Sequence, residues 1–223
     1  ELWEVEYEEP VSGALGADDN QLYFATYHGE VIAVDRNGGM EQWRVALTSE
    51  VLSPPVSNGR QVVVQSIDGK VVSLNAETGK LMWRYDSNAP VLSIRGTASP
   101  MIDDDFTVAG FSNGELVAFQ NLTGAPIWTT PIGIPKGRTE LERLVDIDGQ
   151  PVIRDEVVYS VSYQGKLSAI HLPTGREIWS KQQSSYTAVG LGFGNVYVSS
   201  SDDVVVAYNQ ATRSEVWSQG NLK

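Results

Sequence analysis

Few residues in this chain are of types that do chemistry, and their spacing argues against catalysis. The two histidines, His28 and His171, have no serine or aspartate at a triad spacing. Cysteine is absent, which removes thiolate nucleophiles, disulfides and thiolate metal sites. Asp146-Ile147-Asp148-Gly149 has the opening of a calcium loop, but Val157 stands at the twelfth position, where such a loop needs glutamate. Gly190-Leu191-Gly192-Phe193-Gly194 approaches a dinucleotide fingerprint without the helix that must follow, so a strand and turn are predicted there. Asp103-Asp104-Asp105 reads as a solvated hairpin tip. No catalytic residue, cofactor or metal site is expected.

Charge narrows the partners. The 223 residues carry 16 Lys and Arg against 28 Asp and Glu, a formal net charge of −12. Nucleic acid is not expected as a partner, because its phosphates need clustered cations. No apolar run approaches the roughly 18 residues of a membrane helix. At 41% hydrophobic, the chain has material for a sizeable core. The lack of cysteine suits an oxidising compartment, though it fits the cytosol almost as well.

The elements that must position any site follow from the tryptophans. All six lie on one ladder, Trp3, Trp43, Trp83, Trp128, Trp179 and Trp217, at intervals of 40, 40, 45, 51 and 38 residues. A period near 40 fits propeller blades or helical repeats. The turns decide between them. Fourteen residues before four of these tryptophans sits a glycine, at Gly29, Gly69, Gly114 and Gly165, preceded by His28, Asp68, Asn113 and Gln164. Such pairs between short Val- and Tyr-rich runs predict type I′ hairpins, with positive φ at both central residues. A second glycine, four residues before Trp, recurs at Gly39, Gly79, Gly124 and Gly175. It predicts a longer hairpin loop closed by a left-handed glycine. A third turn precedes the first, as at Asp18-Asp19-Asn20, Ser57-Asn58-Gly59 and Asp103-Asp104, and again at Arg154-Asp155 and Gly194-Asn195. Three turns make four antiparallel strands per repeat, which is a propeller blade.

The expected fold is therefore all-β: a β-propeller of PQQ/WD40-like four-stranded blades. Residues 1–223 form one segment of about five blades, with repeats ending near Trp43, Trp83, Trp128, Trp179 and Trp217. Residues 1–10 read as the last strand of a preceding blade. The fifth repeat has Asp203 and Arg213 at the two glycine positions, and Arg213 predicts a different loop there.

The stretch Asn75-Ala-Glu-Thr-Gly-Lys-Leu-Met-Trp83 resembles the repeat of pyrroloquinoline-quinone (PQQ) propellers. Quinoprotein dehydrogenases and the BamB family of outer-membrane assembly subunits both carry that repeat. The two long inter-blade connections distinguish them. Leu92-Ser-Ile-Arg-Gly96 is similar to the Leu-x-Leu-Arg-Gly loop of the BamB family, and Thr139-Glu-Leu-Glu-Arg-Leu-Val-Asp-Ile-Asp148 to its Glu-Ile-Asp-Arg-Leu-x-Asp-Val-Asp segment. Ile94 stands where that family usually has leucine, a change that keeps apolar bulk.

This resemblance implies a non-enzymatic scaffold subunit of the β-barrel assembly (BAM) machinery. It implies binding to the POTRA domains of BamA through Leu92, Ile94, Arg95, Asp146 and Asp148. It further implies the periplasmic face of a Gram-negative outer membrane, reached through a lipid anchor on a cysteine that this chain lacks. Family propellers have eight blades, so the chain is expected to be a segment of one, as an open arc, a closed ring or a self-associated pair. Two rivals remain: a fragment of a PQQ-dependent dehydrogenase, and a generic propeller interaction module. The dehydrogenase would need a calcium-binding carboxylate–amide set, which is not evident here.

Read from the residues alone, both connections belong on the rim that carries the middle hairpin turns, where a rigid scaffold presents binding loops. Leu92 and Ile94 either anchor a partner or tuck beneath their own loop. Arg95 is a multidentate donor of the kind enriched at hot spots. Asp146 and Asp148 pair with Arg95, face cations on the partner, or satisfy nearby backbone N–H groups. Thr139 and Glu142 form a capping-box pattern that predicts a short helical turn near 140–145.

Overall fold

A computed structural model describes residues 3–87, 98–133, 138–139 and 145–220. Leu92, Ile94 and Arg95 lie outside the described residues, as does almost all of the helical turn expected near 140–145. The described chain forms five four-stranded antiparallel sheets, as the three-turn repeat predicts. The first sheet is β1 (Gly16–Ala17), β2 (Gln21–Ala25), β3 (Glu30–Asp35) and β4 (Glu41–Ala46). The second is β5 (Val56–Ser57), β6 (Gln61–Gln65), β7 (Lys70–Asn75) and β8 (Leu81–Asp86). The third is β9 (Met101–Ile102), β10 (Phe106–Gly110), β11 (Glu115–Gln120) and β12 (Pro126–Pro131). The fourth is β13 (Val152–Arg154), β14 (Val157–Val161), β15 (Lys166–His171) and β16 (Glu177–Gln182). The fifth is β17 (Gly190–Gly192), β18 (Asn195–Ser199), β19 (Val205–Asn209) and β20 (Glu215–Gln219). Within each sheet the strands pair in chain order.

Two compact units make up the chain: Glu1–Thr107 with Phe119–Ala125, and Val108–Ala118 with Pro126–Lys223. In the first unit, β2 and β3 pack on β6 and β7 through Tyr23, Ala25, Val31, Ala33, Val62, Val64, Val72 and Leu74. In the second, β14 and β15 meet β18 and β19 through Tyr159, Val161, Leu167, Ala169, Val196, Val198 and Val206. These middle strands are apolar without alternation, as in Val62-Val63-Val64, because both of their faces are covered. The outer strands β4, β8 and β12 bury only their tryptophan and expose most of the rest.

Four of the tryptophans occupy the same place in their sheets. Trp43, Trp83, Trp179 and Trp217 stand opposite Ala33, Ser73, Ala169 and Ala207, and a register shift follows each pair. The small partner leaves room for the indole. From Trp43, Trp83 and Trp128 the ring reaches the following repeat. Trp43 Nε1–H donates to the Ala76 carbonyl at 2.8 Å, Trp83 to Asn121 at 2.6 Å and Trp128 to Leu172 at 2.5 Å. The rings lie on Gly79, Gly124 and Gly175, where any Cβ would come within 2.8 Å of indole carbons. Glycine at this place is thus set by contact as well as by its φ of 67–68°.

The turns depart from expectation in two respects. In the middle hairpins of the first three sheets only Gly29, Gly69 and Gly114 have positive φ, while His28, Asp68 and Asn113 do not. These are type I turns closed by a left-handed glycine rather than type I′ turns, with Gly29 N–H bonding the Thr26 carbonyl and Gly69 N–H that of Ser66. In the fourth sheet Gln164 takes the left-handed conformation in place of Gly165. Arg213 does not change its loop as the sequence led us to expect. It adopts φ 62° and donates its N–H to Asn209, as Gly79 does to Asn75. The loop survives because its aspartate-like cap is retained: Asn209 Oδ1 accepts from Ala211 and Thr212 N–H. Asn75 Oδ1 does the same for Glu77 and Thr78.

Gly190–Gly194 is a strand and turn, as predicted. Its tip is costly, however: Phe193 sits at φ 49° and is 99% exposed. The first and fourth sheets place Asp19 and Asp155 at the same tip. Replacing Phe193 by asparagine, which tolerates the left-handed region, should raise stability by about 1 kcal/mol. A urea midpoint that fails to rise would remove backbone strain from this turn.

Candidate functional site

Residues 145–149 of the second long connection run in the second unit against the middle turn of the fourth sheet. Tyr163 N–H donates to the Asp146 carbonyl at 2.8 Å, and the two residues form an isolated antiparallel bridge. Val145 and Ile147 are buried. Ile147 packs over Gly110, where a Cβ would stand only 2.3 Å from its Cγ2. Gly149 lies against the backbone of Thr187 and Ala188. The connection is therefore inlaid between neighbours, which explains its alternation of apolar and acidic residues.

Both predicted aspartates are in this inlaid stretch. Asp146 is 3% exposed, and the two carboxylate oxygens of Asp148 are shielded from solvent. Both residues take part in further interactions within the fold. Their placement suits the reading in which they hold the loop, rather than the one in which they face outward toward a partner.

One feature beside them is not evident from the sequence. Tyr163 and Tyr186 stack with ring centroids 4.4 Å apart and planes 19° from parallel, and both are partly exposed. A hydrogen bond from Tyr186, with another from Gln164, holds the Tyr163 phenol below its ordinary pKa. The pair is set by Ser184 and Ser185. Ser184 Oγ accepts the Gln164 N–H at 3.0 Å, and its carbonyl accepts the Ser201 N–H at 2.9 Å. Ser185 Oγ donates to the Ser199 carbonyl at 2.6 Å and accepts the Thr187 N–H at 3.1 Å. The β16–β17 connection, which carries Tyr186, is thereby pinned between two middle turns.

Several other polar groups serve the fold. His171 Nδ1 bonds Thr174 Oγ1 at 2.8 Å, taking the loop-capping place of Asn75 and Asn209. His28 pairs with Glu9 at 3.0 Å on an exposed turn. In the first unit a cleft of about 370 Å³ is lined by Asp18, Asn20, Gln21, Tyr23, Gly59, Ala76 and Glu77. Burial works against the Asp18 carboxylate there. Donors from Tyr23, Asn20, Gln21 and Ser57 outweigh it and hold the carboxyl below its usual range. A carboxylate so fully engaged is a structural cap. Asp103 plays the same part, its Oδ1 accepting from Asp105 and Phe106 N–H. Among the described residues no group of three or more His, Asp or Glu is disposed to hold a metal.

Comparison with known proteins agrees with this architecture. A profile of the family described as outer membrane protein assembly factor BamB matches residues 1–219. BamB of Nitrosomonas eutropha is 36% identical over 199 residues, covering 89% of this chain and 48% of that protein. BamB of Burkholderia pseudomallei is 34% identical over 226 residues, covering 100% of this chain and 58% of that protein. The chain thus spans about half the length of the curated relatives it matches. The crystal structure of BamB from Moraxella catarrhalis superposes with a TM-score of 0.92 at 33% identity, covering 99% of this chain and 68% of that one. A europium-containing methanol dehydrogenase superposes with a TM-score of 0.76 at 13% identity, a likeness of fold alone. On the profile, the identities and the superposition, this chain belongs to the BamB family of outer membrane protein assembly factors.

Proposed function

We propose that the chain acts as a non-enzymatic scaffold in outer-membrane protein assembly, at the periplasmic side of the outer membrane. Its partner is the POTRA region of BamA, engaged through the two long inter-blade connections. The observation that supports this most is the family match across residues 1–219. The second connection adds to it: residues 145–149 are fixed in place by bridge and packing contacts rather than trailing in solvent. A loop held this way meets a partner without the entropy loss of ordering.

In this reading Leu92, Ile94 and Arg95 make the contact, and Asp146 and Asp148 hold the second connection in shape. The lipid anchor of the family belongs to the intact protein. Arg95→Ala should weaken binding to a purified BamA POTRA array by about 2 kcal/mol or more, with the thermal unfolding midpoint unchanged. Isothermal titration calorimetry reads this directly. Equal affinity in the folded variant would exclude Arg95 from the interface.

A further inference from the structure

We propose that the stacked Tyr163–Tyr186 pair is the seat of a guanidinium group carried by the protein partner that docks on these connections. The proposal rests on the docking reading above and names the partner chemistry at one point of that surface.

In a stacked pair that is partly exposed, the face of a ring turned away from its partner is of the kind on which an arginine side chain stacks. The surroundings favour a cation. The turn that follows β18 is tied to the same connection by the Ser201–Ser184 hydrogen bond, and it carries the exposed Asp202 and Asp203. The whole chain is strongly acidic at −12, so a cationic partner residue is also drawn in by the long-range field.

Rigidity completes the case. Four hydrogen bonds through Ser184 and Ser185 fix the connection that carries Tyr186, and the Asp146–Tyr163 bridge fixes the facing turn. The rings are therefore already arranged before a partner arrives, and little conformational freedom is lost on binding. The middle turns of the first three sheets carry Tyr27, Ile67 and Ser112 at the place of Tyr163, and none of these three has a stacked aromatic partner among the described ring pairs.

The test is titration of the chain with a purified BamA POTRA array, using Tyr186→Leu, Tyr186→Phe and, as reference, Arg95→Ala. Leucine keeps apolar bulk and removes the π face; phenylalanine keeps the π face. Tyr186→Leu should bind roughly tenfold more weakly and Tyr186→Phe close to wild type. Wild-type affinity in Tyr186→Leu, with Arg95→Ala impaired, would overturn the guanidinium seat and leave the docking reading standing. No binding by wild type, or none of the variants impaired, would overturn both. If leucine lowers the unfolding midpoint, competition against the wild-type complex decides. Argininamide should then displace the POTRA array more effectively than glycinamide at equal ionic strength, and equal displacement would overturn the seat.

Discussion

Gly79→Ala should destabilise the chain by about 3 kcal/mol, whereas Gly69→Ala should cost about half as much. Both glycines are left-handed, at φ 68° and 78°. An L residue there costs roughly 1–2 kcal/mol in backbone energy, and this is common to both substitutions. The difference lies in what the new methyl meets. At Gly69 the nearest atom is Ser87 Oγ at 3.4 Å, an ordinary contact with a side chain able to move. At Gly79 the methyl would stand 2.8 Å from Cδ2 and Cε3 of Trp43, whose indole is 8% exposed and tied to the Ala76 carbonyl. Overpacking of that kind adds roughly 1–3 kcal/mol. Arg213, at φ 62° in the corresponding loop of the fifth sheet, shows that the backbone alone does not forbid a side chain. Urea unfolding of both variants separates the two terms. Equal losses would mean that the glycine serves its own φ only, and that the ring above it is incidental.

That pairing of ring and glycine is also why so much of the fold was legible. The period of the tryptophans and the glycine four residues before four of them are two ends of one contact, repeated from sheet to sheet, and repetition is what a sequence displays well. The type of the middle turn was not legible. Asp-Gly and Asn-Gly are compatible with a type I turn closed by glycine as well as with type I′, and only φ at Asp68 or Asn113 separates them. The loop at Arg213 was misjudged for a related reason: its geometry is held by the Asn209 cap, and a good cap outweighs a poor residue at the strained position.

The candidate site divides in the same way. Asp146 and Asp148 were found by their motif, but the sequence left open whether they face inward, and burial of Ile147 beside Gly110 turns this segment into the fold. Tyr163 and Tyr186 escaped notice because they are 23 residues apart, in segments without a common period. Their meeting depends on Ser184, which bonds two different turns. An aromatic residue in a middle turn, with another in the connection that follows its sheet, is the signal that would have found them.

Trp83→Ala should cost about 4 kcal/mol, and Trp83→Phe no more than about 1.5 kcal/mol. The indole is 6% exposed, stacks on Phe119 at 5.7 Å and 29°, and covers Gly124. Alanine would leave a cavity between two repeats that neither backbone can close, because each is fixed by its own ladder. Phenylalanine refills most of that space and loses mainly the Nε1–H bond. Its acceptor is not stranded: the Asn121 carbonyl also receives Gln61 Nε2 at 2.7 Å, so the penalty of an orphaned buried oxygen does not arise. Trp217 supplies the control. It lies opposite an alanine just as Trp83 lies opposite Ser73, but it is 43% exposed, and Trp217→Ala should cost well under half as much. Measured by urea midpoint, a Trp217→Ala loss as large as that of Trp83→Ala would show that the tryptophans act within their own sheets. The stability of the repeat would then owe little to the contact each ring makes with the repeat that follows it.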